Sequence, residues 1–92
     1  MKNMNFDFSI SFDGEIEYVS PYDDSTSIDC EVILKKLLEK KVIDLGERSE
    51  GNIVIEDDVI ILYYRVCVNL GEDRYSDEWD YVEETYPVSV LQ

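Results

Sequence analysis

Two cysteines, twenty-two carboxylates and no histidine are what this sequence offers for chemistry. Without histidine, the commonest acid–base group and a leading metal ligand are missing. Serine or cysteine nucleophiles lack their usual base. Cys30 and Cys67 have no Cys-x-x-Cys spacing, so they read as small buried hydrophobes with free thiols. Glycine-rich phosphate loops and dinucleotide fingerprints are absent. Carboxylate pairs remain. A glycosidase sets two of them across a cleft, which a small domain with one sheet and one helix rarely builds. Asp23-Asp24, Asp57-Asp58 and Glu72-Asp73 are acidic pairs in turn-like segments. None fits the twelve-residue calcium loop, and such pairs are ordinary turn formers. The expectation is no catalysis, no cofactor and no metal.

The remaining signal is charge. Eight bases against twenty-two acids give a net −14. Residues 1–27 hold six acids and one base, and residues 70–92 hold seven acids and one base. The ends therefore carry the field, while the middle is nearly balanced. Lys35, Lys36, Lys40 and Lys41 form the one basic cluster, interleaved with Glu31, Glu39 and Asp44. This reads as a solvated helix face with local ion pairs. Direct nucleic-acid binding needs positive charge and is not expected.

Segment 72–84 combines acids with aromatics: Glu72, Asp73, Tyr75, Asp77, Glu78, Trp79, Asp80, Tyr81, Glu83 and Glu84. Acids steer a basic partner, and Trp or Tyr can anchor it. These ten residues are the expected partner-binding set. The competing reading is an acidic strand edge that deters aggregation, with its aromatics in the core.

The elements that position these residues follow from periodicity. Residues 4–12 alternate strictly, with Met4, Phe6, Phe8, Ile10 and Phe12 on one face. A three-residue loop, Phe12-Asp13-Gly14, sets Ser11 opposite Glu15, Ile10 opposite Ile16 and Phe8 opposite Tyr18, with Gly14 left-handed. Asp7, Ser9, Ser11, Glu15 and Glu17 then form a solvated outer face. Thr26 or Ser27 caps a helix over about 28–43, with Ile33, Leu34, Leu37, Leu38 and Leu45 recurring at helical spacing, Cys30 on the same side, and Gly46 as the stop signal. Glu47 to Gly51 reads as a polar loop. Asp57-Asp58 turns a hairpin that sets Ile55 opposite Ile60 and Ile53 opposite Leu62. Ile60, Leu62, Tyr64, Val66, Val68 and Leu70 face inward, and Ile61, Tyr63, Arg65, Cys67 and Asn69 face outward. Residues 71–78 read as a loop. Residues 79–86 fit a strand better than a helix, because Trp, Tyr, Val and Thr favour strands. Val88 to Val90 reads as extended.

The resulting order is β-β-α-β-β-β over residues 1–92. It describes one small acidic α+β domain whose antiparallel or mixed sheet carries one helix on one face. Apolar runs fall short of a membrane span, the N-terminus lacks a signal-peptide core, and a reducing cytoplasm is the expected setting.

In size and composition, though in no shared motif, the chain resembles phage counter-defence proteins such as anti-CRISPR and anti-restriction inhibitors. That resemblance implies a nucleic-acid mimic acting in the cytoplasm of a bacterial host. Such a mimic occupies the basic surface of a nucleic-acid-binding or nucleic-acid-processing enzyme. Fourteen charges match about 24 Å of duplex, near the width of a domain this size. The same physics would serve an immunity protein or antitoxin against a basic toxin nuclease. An adaptor or phage structural domain, with charge serving only solubility, is the third reading. Oligomeric state is not legible.

Overall fold

Alternation makes the first strand, and the hydrophobic side of that strand organises the rest. The computed structural model describes residues 2–11, 13–43, 48–69 and 78–92. Its elements are β1 (Met4–Ile10), β2 (Ile16–Pro21), α1 (Ser27–Glu39), β3 (Ser49–Glu56), β4 (Val59–Asn69) and β5 (Glu78–Pro87). A 3-10 turn over Val88–Leu91 follows. The strands form one sheet in the order β2-β1-β3-β4-β5, every neighbouring pair antiparallel. The expected α+β class and element order hold, and the sheet is antiparallel rather than mixed. Helix α1 carries the chain from β2 past β1 to β3.

The first hairpin closes as expected. The Ser11 amide donates to the Glu15 carbonyl at 2.8 Å and the Gly14 amide to the Ser11 carbonyl at 3.0 Å. Gly14 has φ 87°, which glycine adopts without a Cβ clash. Ile10 faces Ile16, as expected. Beyond that pair the expected register is wrong: Phe8 faces Val19, and Tyr18 sits opposite Ser9. Glu17 is the extra residue of a bulge, which turns Tyr18 to the outer face. A β-branched valine then packs beside Phe8, and the tyrosine is left half exposed. The outer face is also less solvated than expected. Ser9 is buried there, its hydroxyl donating to Glu17 Oε1 at 3.2 Å.

Thr26 caps α1, accepting from the Asp29 amide at 3.0 Å. Cys30, Ile33, Leu34, Leu37 and Leu38 form its buried stripe. The helix ends at Glu39, four residues before its expected end. The Val42 amide donates to the Leu37 carbonyl at 2.9 Å and the Lys41 amide to Leu38 at 3.1 Å. That is a Schellman stop, with Lys41 left-handed at φ 60° where glycine is usual. Leu45 and Gly46 lie outside the described residues.

Asp57 and Asp58, at φ 52° and 62°, form the two-residue turn joining β3 to β4. Ile55 faces Ile60 and Ile53 faces Leu62, as expected. Ser49, Glu50 and Gly51 are not a loop: they open β3. Ser49 pairs with Ile10 and Val66, Glu50 with Ser9 and Arg65, and Gly51 with Phe8 and Tyr64. Being central in the sheet, this polar stretch is held by neighbours on both sides. Across Gly51 the Phe8 and Tyr64 rings approach, with centroids 6.2 Å apart and planes tilted by 57°. Such pairs contribute about 0.5–1.5 kcal/mol beyond area burial.

Residues 79–86 are strand, as expected. Val88 to Val90 is not extended. The 3-10 turn, tied by the Val88 amide to the Asp58 carbonyl at 3.0 Å, brings Leu91 into the core. Phe6, Phe8, Ile10, Leu34, Leu37, Ile43, Ile53, Ile55, Ile60 and Leu62 are its largest fully buried side chains of purely apolar type. Cys30 and Cys67 are both buried, and neither is in a disulfide. Burial, reinforced by Asp23 and Asp29, pushes the Cys30 thiol up. Among the described residues, no helix is long and apolar enough to cross a membrane.

Candidate functional site

Strand alternation sends the core side chains to the helix side of the sheet, and among the described residues no helix or strand packs on the other side. The register lines up residues across that open face. One row runs Ser20, Asp7, Asn52, Tyr63, Glu83. The next runs Tyr18, Ser9, Glu50, Arg65, Tyr81. Beside them, Cys67 faces Trp79. Tyr18, Tyr63 and Tyr81 are 51%, 53% and 68% exposed. They border a shallow hollow of about 340 Å³ that also touches Asp7, Glu50, Asn52 and Arg65.

Four of the polar side chains in this hollow, Asp7, Glu50, Asn52 and Arg65, are held by neighbours. Arg65 Nε donates to Glu50 Oε1 at 2.6 Å, and Arg65 Nη2 reaches the same oxygen. That hydrogen bond pushes the guanidinium further up. The Arg65 Cζ lies 4.1 Å from the centre of the Trp79 ring, a cation–π contact. Asn52 Nδ2 lies 2.9 Å from Asn5 Oδ1, 3.1 Å from Asp7 Oδ1 and 3.2 Å from the Phe6 carbonyl oxygen. The Tyr22 hydroxyl donates to Asp7 Oδ2, and this bond pushes the Tyr22 phenol up. At the margin Arg48 Nε lies 3.5 Å from Glu17 Oε1.

The strand divides the expected partner-binding set. Trp79, Tyr81 and Glu83 fall on the open face. Asp80 and Glu84 fall on the alternate row, opposite Val66 and Leu62, and are exposed because β5 is the sheet edge. The Tyr86 hydroxyl donates to Glu84, which pushes the Tyr86 phenol up to about 12. The backbone of Glu78 opens β5, but its side chain is outside the described part, as are Glu72, Asp73, Tyr75 and Asp77.

Tyr18, Tyr63, Arg65, Glu50 and Asp7 were not in the expected set. A signal for three of them was present. Alternation already puts Asp7, Tyr63 and Arg65 on the face opposite the core, and one helix covers only one side of a sheet. Tyr18 was hidden by the bulge, and Glu50 by the loop-like composition around it.

Chemically, the face offers flat rings, separate carboxylates and one guanidinium matched by Glu50. Among the described residues, no three Cys, Asp or Glu side chains converge as metal ligands would. The arrangement suits recognition of a cationic, partly planar surface. Compared with known proteins, the chain matches no family, no characterised sequence and no solved structure.

Proposed function

We propose that this chain is a small acidic inhibitor. In this reading it binds the basic surface that a nucleic-acid-handling protein presents to its nucleic acid. The observation that carries the reading is charge density. A net −14 along a longest dimension of 43 Å is one charge per roughly 3 Å. One strand of DNA carries a phosphate every 3.4 Å or so, and a duplex about one per 1.7 Å. The average field thus resembles a single strand more than a duplex. A field of this sign and density accelerates encounter with a basic groove and repels nucleic acid itself. The exposed tyrosines beside it support a role in binding, since aromatic anchors hold what charge attracts. A bacterial cytoplasm, with a host enzyme as target, is the setting that fits.

The test is competition. The protein is immobilised, offered a bacterial lysate, washed, and eluted with a single-stranded oligonucleotide at constant ionic strength. Nucleic-acid-binding proteins should leave the matrix with the oligonucleotide. Specific partners that stay bound while they also take up the oligonucleotide would end the mimicry reading.

A further inference from the structure

We infer that the tyrosine hollow on the open sheet face receives an arginine side chain of the partner. This inference rests on the reading above that the partner is basic, and it names where and how one of its cations is held.

The sign of the occupant follows from charge. A second copy of the chain would bring together two bodies of net −14, and a phosphate would meet the same field. Around the hollow, Arg65 is already matched by Glu50, leaving Asp7 and Glu83 as carboxylates in the row through Tyr63. Asp7 and Glu83 stand three strand spacings apart, roughly 14 Å. A guanidinium in the hollow would meet Asp7 with the tyrosine rings around it, and Glu83, on the strand beyond Tyr63, adds to the negative field.

Arginine is favoured over lysine by the shape of the site. Tyr63 and Tyr81 present more than half of their surface to solvent. A guanidinium is planar, weakly hydrated and stacks on rings, whereas an ammonium is a compact, strongly hydrated point charge. The protein holds one guanidinium this way already: Arg65 lies over Trp79 with Glu50 at its edge. The hollow next to it repeats those parts, with tyrosine rings in place of the indole and Asp7 in place of Glu50. Asp7 accepts from Asn52 and Tyr22, one to each oxygen, which fixes its carboxylate. Each oxygen keeps a second lone pair for an incoming donor.

The experiment titrates the intact protein with hexa-arginine and with hexa-lysine at 0.15 M salt. Binding is read by calorimetry and by the fluorescence of Trp79, the single tryptophan. Hexa-arginine should bind about fivefold or more tightly than hexa-lysine. Tyr63→Ala with Tyr81→Ala should weaken hexa-arginine about tenfold and erase the preference. Tyr63→Phe with Tyr81→Phe keeps the rings and should keep the binding. Both residues are exposed, so the variants should retain the wild-type circular dichroism. Val32→Ala, on the exposed helix face, should change nothing. Equal binding of the two peptides, or an alanine variant that binds as wild type, overturns the arginine site while leaving a charge-driven partner possible. Failure of both peptides to bind at 0.05 M salt overturns the site together with the basic-partner reading.

Discussion

Gly51→Ala tests the register on which the open face depends. Gly51 sits between Phe8 and Tyr64 in the middle of the sheet. A Cβ there would lie 2.3 Å from the Tyr63 carbonyl oxygen and 2.4 Å from the Tyr64 Cα. Both are backbone atoms, so no side-chain rotation relieves the clash. Strands β3 and β4 would have to separate locally, lengthening ladder hydrogen bonds and parting the Phe8–Tyr64 ring pair. Overpacking a core typically costs about 1–3 kcal/mol, and a clash with backbone belongs at the top of that range. Alanine also stiffens the unfolded chain, which offsets roughly 0.4–1 kcal/mol. A net loss of about 2–3 kcal/mol is expected, from a total of roughly 5–14 kcal/mol for a domain this long. The melting temperature should fall by roughly 8–24 °C. Urea denaturation followed by Trp79 fluorescence and circular dichroism measures it. A variant as stable as wild type would show that β3 and β4 do not pair in this register, and the rows across the open face would then be wrong.

The left-handed residues give two changes in the opposite direction. Lys41→Gly at the helix stop relieves a conformation that costs an L-residue about 1–2 kcal/mol, and thermal melting should show a net gain of up to about 1 kcal/mol. Asp58→Gly converts the β3–β4 turn to Asp-Gly, the preferred pair for this geometry, and should raise the melting temperature by roughly 4–8 °C. A fall in either case would contradict the backbone assigned to these turns. Tyr86 sets an alkaline limit. Its pKa rises from the ordinary 10.0 to about 12 in the folded chain through its bond to Glu84 and through burial, so folding favours the protonated phenol. That contribution is complete below pH 10 and is lost as pH rises towards 12. Denaturation midpoints measured across this window should fall with pH less steeply in Tyr86→Phe than in wild type.

How much was legible varied with the range of the interaction. Local chemistry was readable: the Thr26 cap, the Gly14 hairpin, the Asp57-Asp58 turn and its facing isoleucines all follow from neighbours in sequence. The departures each came from tertiary contact. The bulge at Glu17 depends on what packs beside Phe8, and Ser49 to Gly51 become strand only because β1 and β4 flank them. Lys41 ends the helix without the glycine that usually signals a stop. The turn after Pro87 forms where Leu91 can reach the core. The candidate site was half legible for the same reason. Trp79, Tyr81 and Glu83 lie in one acidic segment, but Tyr18, Tyr63 and Asp7 join them only through the register.

In the proposed reading, field and anchor therefore have different origins in this chain. Charge acts over a Debye length of about 8 Å at physiological salt, so its effect on a partner tolerates acids on several elements. Asp80 and Glu84 contribute from the side of β5 away from the hollow, where they also discourage another strand from pairing with the sheet edge. An anchor has no such tolerance, because stacking needs contact. Only the open face brings Tyr18, Tyr63 and Tyr81 around one hollow, and they come from β2, β4 and β5. A substitution that neutralises acids should consequently act on the rate of association and on salt dependence wherever it is made on the surface. A substitution of the tyrosines should act on dissociation, and only at this face. In the proposed reading, recognition is thus separable into a term written in the composition and a term that exists only once the sheet has formed.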